Sequence, residues 1–329
     1  MKALTIAAGF AAIASAAAAE TPVLTIYTYD SFVAEWGPGP AIEAAFEESC
    51  GCDLQFVTAG DGAELLSRLR LEGARSDADI VLGLDNNLMA AAHASGLFAP
   101  ADIEMPELDL PIDWEDDTFI PFDWSWFAFV YDKTRLPNPP HSFADLMAMD
   151  YSILIQDPRS STPGLGLLFW VKSVFGDQAQ EAWEKLNPKI VTVTKGWTES
   201  YGMFLEGEAD LVLSYTTSPA YHVIAEDDDS KAAAAFADGN YLQIEVAAKL
   251  AASDEPELAD AFLAFMLSDA FQSVIPTTNW MYPAVLPEGG LPDGFVELER
   301  PDRSLIYLGD DVDNIRDEAL DEWLAAAAN

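Results

Sequence analysis

Basic residues are scarce in this chain of 329: 16 lysines and arginines stand against 56 aspartates and glutamates, a formal charge of −40. The deficit sets nucleic acid and anionic membrane surfaces aside as partners, because both are bound through positive charge. It suits a cationic ligand, and it equally suits plain solubility in a salty medium. Cysteine is nearly absent, with Cys50 and Cys52 of "CGC" the only two. Two thiols are too few for a structural zinc site. Histidine is also rare. His93, His141 and His222 are scattered, and no HExxH, GxSxG, P-loop or GxGxxG spacing occurs. The acidic runs at 226–229 and 310–313 lack EF-hand spacing and read as solvated loops. Neither catalysis nor a metal or other cofactor is therefore expected. Beyond the N-terminus no apolar stretch reaches the length of a membrane span.

What is present at the N-terminus is "MKALTIAAGFAAIASAAAA", residues 1–19. Lys2 gives a positive start, "ALTIAAGFAAIA" an apolar middle, and the alanines a small-residue cleavage site, which together read as a cleaved secretory signal peptide. The mature chain is expected to be soluble, exported to the periplasm and free of a lipid anchor. An oxidising compartment favours a disulfide between Cys50 and Cys52, although a bridge from i to i+2 is tight.

The remaining chain alternates apolar β-rich runs with helical spacing. Strands are expected at 23–29, 53–59 and 78–84, with helices at 40–49, 61–73 and 86–98 between and after them. Asp61 and Glu64 read as a capping box, with Gly73 closing that helix. This βαβαβ order implies a parallel sheet covered by helices, which binds ligands beyond its strand carboxyl ends. "FDWSWFAFVYD" (122–132) reads as a long strand of period-two alternation that carries the chain into a second lobe. There, strands are expected at 151–157, 190–194 and 209–215, and helices at 162–176, 180–187 and 198–208. The strand 241–250 returns to the first lobe, followed by helices at 256–275 and 318–328, with a surface-wrapping tail at 284–317. The division expected is 20–124 and 244–329 for one lobe, with the C-terminal helices, and 125–243 for the other.

Seven segments carry a resemblance: "YTYDSFVAEWGPGP" (27–40), "VLGLDNN" (81–87), "PFDWSWFAFVYDK" (121–133), "QDPRSSTPGLGLL" (156–168), "VTVTKGW" (191–197), "LVLSYTTSPAYH" (211–222) and "TNWMYP" (278–283). In this order the chain resembles the periplasmic thiamine-binding proteins of bacterial thiamine ABC importers. The resemblance covers nearly the whole mature chain and weakens after about residue 284. It implies an α/β, two-lobed periplasmic-binding-protein fold of type II with the ligand in the interlobe cleft. It also implies a monomer that captures thiamine and its mono- and diphosphate and delivers them to a membrane permease. Carried over residue by residue, the ligand contacts would be Asp61, Gly62, Ser161, Thr162, Trp197, Tyr215, Thr216, Thr217 and Ser218. Tyr29, Tyr221 and Trp280 would be aromatic walls.

The residue types agree with that ligand. Aromatic faces stack on an aminopyrimidine ring and attract a thiazolium cation. For each aromatic the competing role is ordinary core packing, and for Asp61 it is helix capping. Asp30 and Asp123 are further candidates for the cation or the amino group, and His222 for a place beside the pocket. "SSTPG" and "TTSPA" each set hydroxyls before a helix-opening proline, where backbone N–H groups suit an anionic tail. Three other readings stay open: a ferric-iron or a polyamine binding protein of the same fold, or an exported thiamine-processing enzyme.

Overall fold

The computed structural model describes residues 21–309 and 311–328, so the signal peptide expected over 1–19 lies outside the described residues. The first half is built from β1 (Val23–Thr28), α1 (Gly39–Cys50), β2 (Asp53–Thr58), α2 (Gly62–Glu72), β3 (Ile80–Asp85), α3 (Met89–Ser95) and β4 (Phe98–Ala99). A 13-residue strand, β5 (Ile120–Asp132), then leads to α4 (Phe143–Ala148), β6 (Ile153–Gln156), α5 (Thr162–Phe175) and α6 (Ala179–Leu186). Next come β7 (Ile190–Thr194), α7 (Trp197–Glu206), β8 (Leu211–Tyr215), α8 (Pro219–Ala225), β9 (Lys231–Ala233) and β10 (Asn240–Leu250). The chain ends with α9 (Pro256–Met266), α10 (Asp269–Gln272), α11 (Ile275–Thr278), β11 (Tyr282–Pro283), α12 (Asp293–Val296), β12 (Ser304–Leu305) and α13 (Val312–Ala327).

The strands run in the order β2-β1-β3-β10-β5-β8-β6-β7. β1 pairs in parallel with β2 and β3, and β6 pairs in parallel with β7 and β8. The antiparallel pair β5 and β10 joins the two parallel sets: β5 pairs β10 over 120–126 and β8 over 127–131. The two expected crossing strands are therefore these two. The parallel strands are rich in Ile, Leu and Val because helices cover them, and Ile26, Ile80, Val212 and Leu213 are fully buried.

Several local expectations change. β5 is buried along both faces over its first eleven residues, so its aromatics do not alternate between core and solvent. The helix expected over 86–98 begins only at Met89, because Asp85 turns the chain: it accepts from Asn87 N (3.1 Å) and Asn87 Nδ2 (2.8 Å). The helix expected over 256–275 is three short helices. Glu64 does not complete a capping box but pairs with Lys195 at 3.0 Å, while Asp61 caps α2 through Gly62 N (2.9 Å). Cys50 and Cys52 are disulfide-bonded at a Cα separation of 5.2 Å. The tail is more than a wrapping: β12 pairs with β10, and Phe295 is buried against Tyr282. α13 lies on the second parallel set, where Lys172 of α5 pairs with Glu318 (3.0 Å) and Glu322 (2.8 Å). No single described helix is long and apolar enough to cross a membrane.

Candidate functional site

Both parallel sets aim their carboxyl ends at one cleft, the place where open α/β sheets present ligands. β1 leads into Tyr29, β2 into Asp61, β7 into Trp197, and β8 ends in Tyr215. The cleft has a volume of about 730 Å³, a size suited to a small organic molecule. Its lining includes Tyr29, Trp197, Tyr201, Tyr215, Tyr221 and Trp280, from both halves of the sheet.

These rings are held in place. Trp197 stacks on Tyr201 at 4.9 Å, and its Nε1 donates to Ser214 Oγ at 2.8 Å. Behind them, buried His222 joins Tyr201 Oη (2.9 Å) to Glu226 (2.6 Å), so His222 braces the wall and does not itself line the cavity. Trp280 meets Tyr221 edge to face at 5.2 Å. Tyr215 lies against Phe127 at 5.3 Å. Gly83 has φ +106°, and a Cβ there would stand 2.2 Å from the Tyr29 ring, so only glycine lets that ring lie where it does.

Of the candidate contacts, Asp61, Trp197, Tyr215, Ser218, Tyr29, Tyr221 and Trp280 line the cavity, as does Asp30. Gly62, Ser161, Thr162, Thr216 and Thr217 stand behind it. Ser161 Oγ donates to Asp61 Oδ2 (2.8 Å) and Thr162 Oγ1 to Oδ1 (3.2 Å). At the start of α5 these two hydroxyls are thus directed at the Asp61 carboxyl group. Thr216 and Thr217 share hydrogen bonds with Ser125, each at 3.1 Å, and Ser218 Oγ bonds Ser214 Oγ at 2.7 Å.

The floor is acidic. Glu245 lines the cavity, accepting from Tyr29 Oη (2.9 Å) and Gln243 Nε2 (3.0 Å). Asp123 lies beneath, accepting from Asn279 Nδ2 at 2.5 Å. Burial, and then the Asp123 charge, hold the Glu245 carboxyl well above the usual carboxylate range; burial likewise raises Asp123. Burial raises Asp61 as well, against the hydrogen bonds it accepts, and pushes Asp85 up to about 7. Burial, and next the charge of Glu245, drive the Tyr215 hydroxyl well above its ordinary value. Sequence reasoning missed Glu245, Asn279 and Tyr201. For Glu245 a signal existed: "YLQIEVAAKL" sets Gln243 and Glu245 two apart between apolar residues, on one face and inside the protein.

Residues 27–273 match the family of bacterial extracellular solute-binding proteins. The chain is 55% identical over 309 residues to the thiamine-binding periplasmic protein of Escherichia coli K12, covering 93% of this chain and 94% of that one. It is 50% identical over 322 residues to the protein of the same name in Brucella suis, covering 97% and 96%. A solved structure of a periplasmic thiamin binding protein superposes with a TM-score of 0.92 at 53% identity, covering 95% of this chain and 98% of that one. A ferric binding protein from Campylobacter jejuni shares the fold, with a TM-score of 0.76 at 20% identity, covering 92% and 99%.

Proposed function

The chain belongs to the bacterial extracellular solute-binding proteins, and from that premise we propose that it captures thiamine in the periplasm and delivers it to the permease of an ABC importer. The observation that carries this reading is the cleft itself: aromatic faces from both halves of the sheet surround an acidic floor whose Glu245 and Asp123 have no ion-pair partner among the described residues. Thiamine presents two flat rings and one fixed positive charge. Rings suit the walls by stacking, the cation suits both the π faces and the floor, and each good contact contributes roughly 0.5–2 kcal/mol. An importer component of this kind binds and releases its solute unchanged, as a monomer and without a cofactor. The lobes of this reading are 20–124 with 244–329, and 125–243. The exchange of partners along β5 between Trp126 and Phe127 supports the first boundary, and the docking of α13 on α5 favours counting the terminal helix with the second lobe instead.

The mono- and diphosphate belong to the same proposal, with one change of detail. Because the hydroxyls of Ser161 and Thr162 hold Asp61, a phosphate would compete with that carboxylate or turn towards Lys195 and the start of α7, which line the mouth. α7 opens at Gly196 without a side-chain cap, so its first N–H groups remain available to an anion. Titration calorimetry with thiamine and each ester is the test. One site per chain is expected, and Trp197→Ala or Tyr215→Ala weakens it by roughly 1–3 kcal/mol. Absence of heat and of any thermal shift with thiamine would refute the reading, and unchanged affinity in folded variants would return both rings to a packing role.

A further inference from the structure

The floor of the cleft contains an arrangement that stacking alone does not require. Glu245 of β10 is in register with Asp123 of β5 on one side and with Asp85 of β3 on the other, so three carboxyl groups stand side by side across three adjacent strands. Asp61 and the hydroxyls of Tyr29 and Tyr215 also face this row. Among the described residues, none of Asp61, Asp85, Asp123 and Glu245 has an ion-pair partner. Their neutral partners differ. Asp85 is held by Asn87, and Asp61 by Ser161 and Thr162. Asp123 and Glu245 have Asn279, Tyr29 and Gln243, and the second oxygen of Asp123 is buried with no partner of its own. Two adjacent buried carboxylates without a counter-charge cannot both stay ionised in an empty cleft. One of them must hold a proton, which the other then shares.

Resting on thiamine as the ligand, we propose that Asp123 and Glu245 form a proton-exchange pair that selects for the cation: the empty cleft holds one shared proton there, and the seated cation expels it to solvent. One positive charge enters and one leaves, so the buried site keeps its net charge throughout. The proton comes off the carboxyl oxygen as H⁺, and no other bond is made or broken. This exchange distinguishes a cation from a neutral molecule of similar shape. A neutral ligand leaves the proton in place and gains nothing from ionising the pair. Burial raises both carboxyls above their usual range, Asp123 to about 8, and the Asp123 charge raises Glu245 further.

The sign follows by linkage. Where the empty pair is protonated and the occupied pair is not, affinity rises with pH by up to about tenfold per unit. Calorimetry with thiamine in buffers of unlike ionisation heat counts the protons released. Close to one per ligand is expected for the wild type between about pH 6 and pH 7.5, with affinity climbing across that range. Glu245→Gln is expected to bind at least tenfold more weakly and to release none, with affinity flat in pH. Asp123→Asn serves the same purpose if the first variant does not fold. The neutral aminopyrimidine half of thiamine is expected to release no proton. Thiamine binding with heat independent of buffer would overturn the exchange and leave the ligand assignment standing, and so would a full proton released by Glu245→Gln. No binding of thiamine at any pH would overturn the assignment itself and the exchange with it.

Discussion

Trp280 has φ +59°, in the left-handed region that a bulky side chain enters at a cost of about 1–2 kcal/mol. It follows Asn279, which closes α11, a position where glycine is the ordinary choice. The conformation turns the indole into the cleft against Tyr221 and leaves Asn279 directed at Tyr29 and Asp123. Strain of this kind at a binding wall has a checkable signature. Trp280→Gly is expected to weaken thiamine binding by about 1–2 kcal/mol through the lost aromatic face, while the melting temperature holds or rises. A variant that melts lower with unchanged affinity would make Trp280 a packing residue. The sequence marked Trp280 as a wall through the segment "TNWMYP". It held no trace of the left-handed backbone, because positive φ is legible mainly where glycine or asparagine announces it.

Between elements, β1 and β3 meet through one missing side chain. Gly83 gives Tyr29 its place, and Tyr29 in turn gives a hydrogen bond to Glu245 on β10. Gly83→Ala is expected to cost about 2–4 kcal/mol of stability, from positive φ and overpacking together. It should also reduce thiamine affinity, since the ring has only the cleft to move into. Denaturant unfolding and calorimetry on the same preparation check both, and a neutral effect on each would show that the ring repacks freely. Elements of this kind were readable where the apolar pattern runs unbroken: β1, β2, β10, α1 and α6 lie within a residue or two of expectation. They failed where side chains compete with the backbone. Asp85 closes a turn onto Asn87 that truncates α3, and Ser268 receives the chain after α9 with its hydroxyl on Phe265 O (2.6 Å). The alternation read in β5 failed for another reason: a strand at the centre of a covered sheet is apolar on both faces.

For the whole molecule, the buried acids set the direction of pH dependence. Asp85 is pushed up to about 7, against about 3.9 in an unfolded chain. Between those values the folded protein binds more protons than the unfolded one, so stability falls as pH rises from about 4 to about 7. Asp61, Asp123 and Glu245 act in the same direction, and so does repulsion among surface charges in a chain of net −40. The ligand-free protein is expected to melt at a higher temperature near pH 5.5 than near pH 8, and Asp85→Asn narrows the gap. A melting temperature that climbs with pH over that interval would contradict the assignment of neutral acids to the floor. The cleft's composition was visible in the sequence as aromatic segments, but its charge partners were not. Register between β3, β10 and β5 joins residues more than a hundred positions apart, and no local pattern encodes that pairing. The seat of α13 was hidden for the same reason, since an amphipathic stripe states that a face is buried without saying against what.

β12 adds a third line of chain beside the two crossing strands. It pairs with β10 at Asn240 and Tyr241, and Trp126 Nε1 donates to Ser304 Oγ at 2.8 Å, while Asn240 Nδ2 donates to Phe127 O at 2.8 Å. Beyond it, α13 is anchored on α5 through the Lys172 carboxylate pairs. A single ribbon between two bodies is a swivel, free in torsion. Three ribbons laid edge to edge and bonded across behave as a piano hinge, which folds along its pin and resists wringing. A cleft hinged in this way would open along nearly one path, and the rings on its two rims would return to the same facing positions on closing.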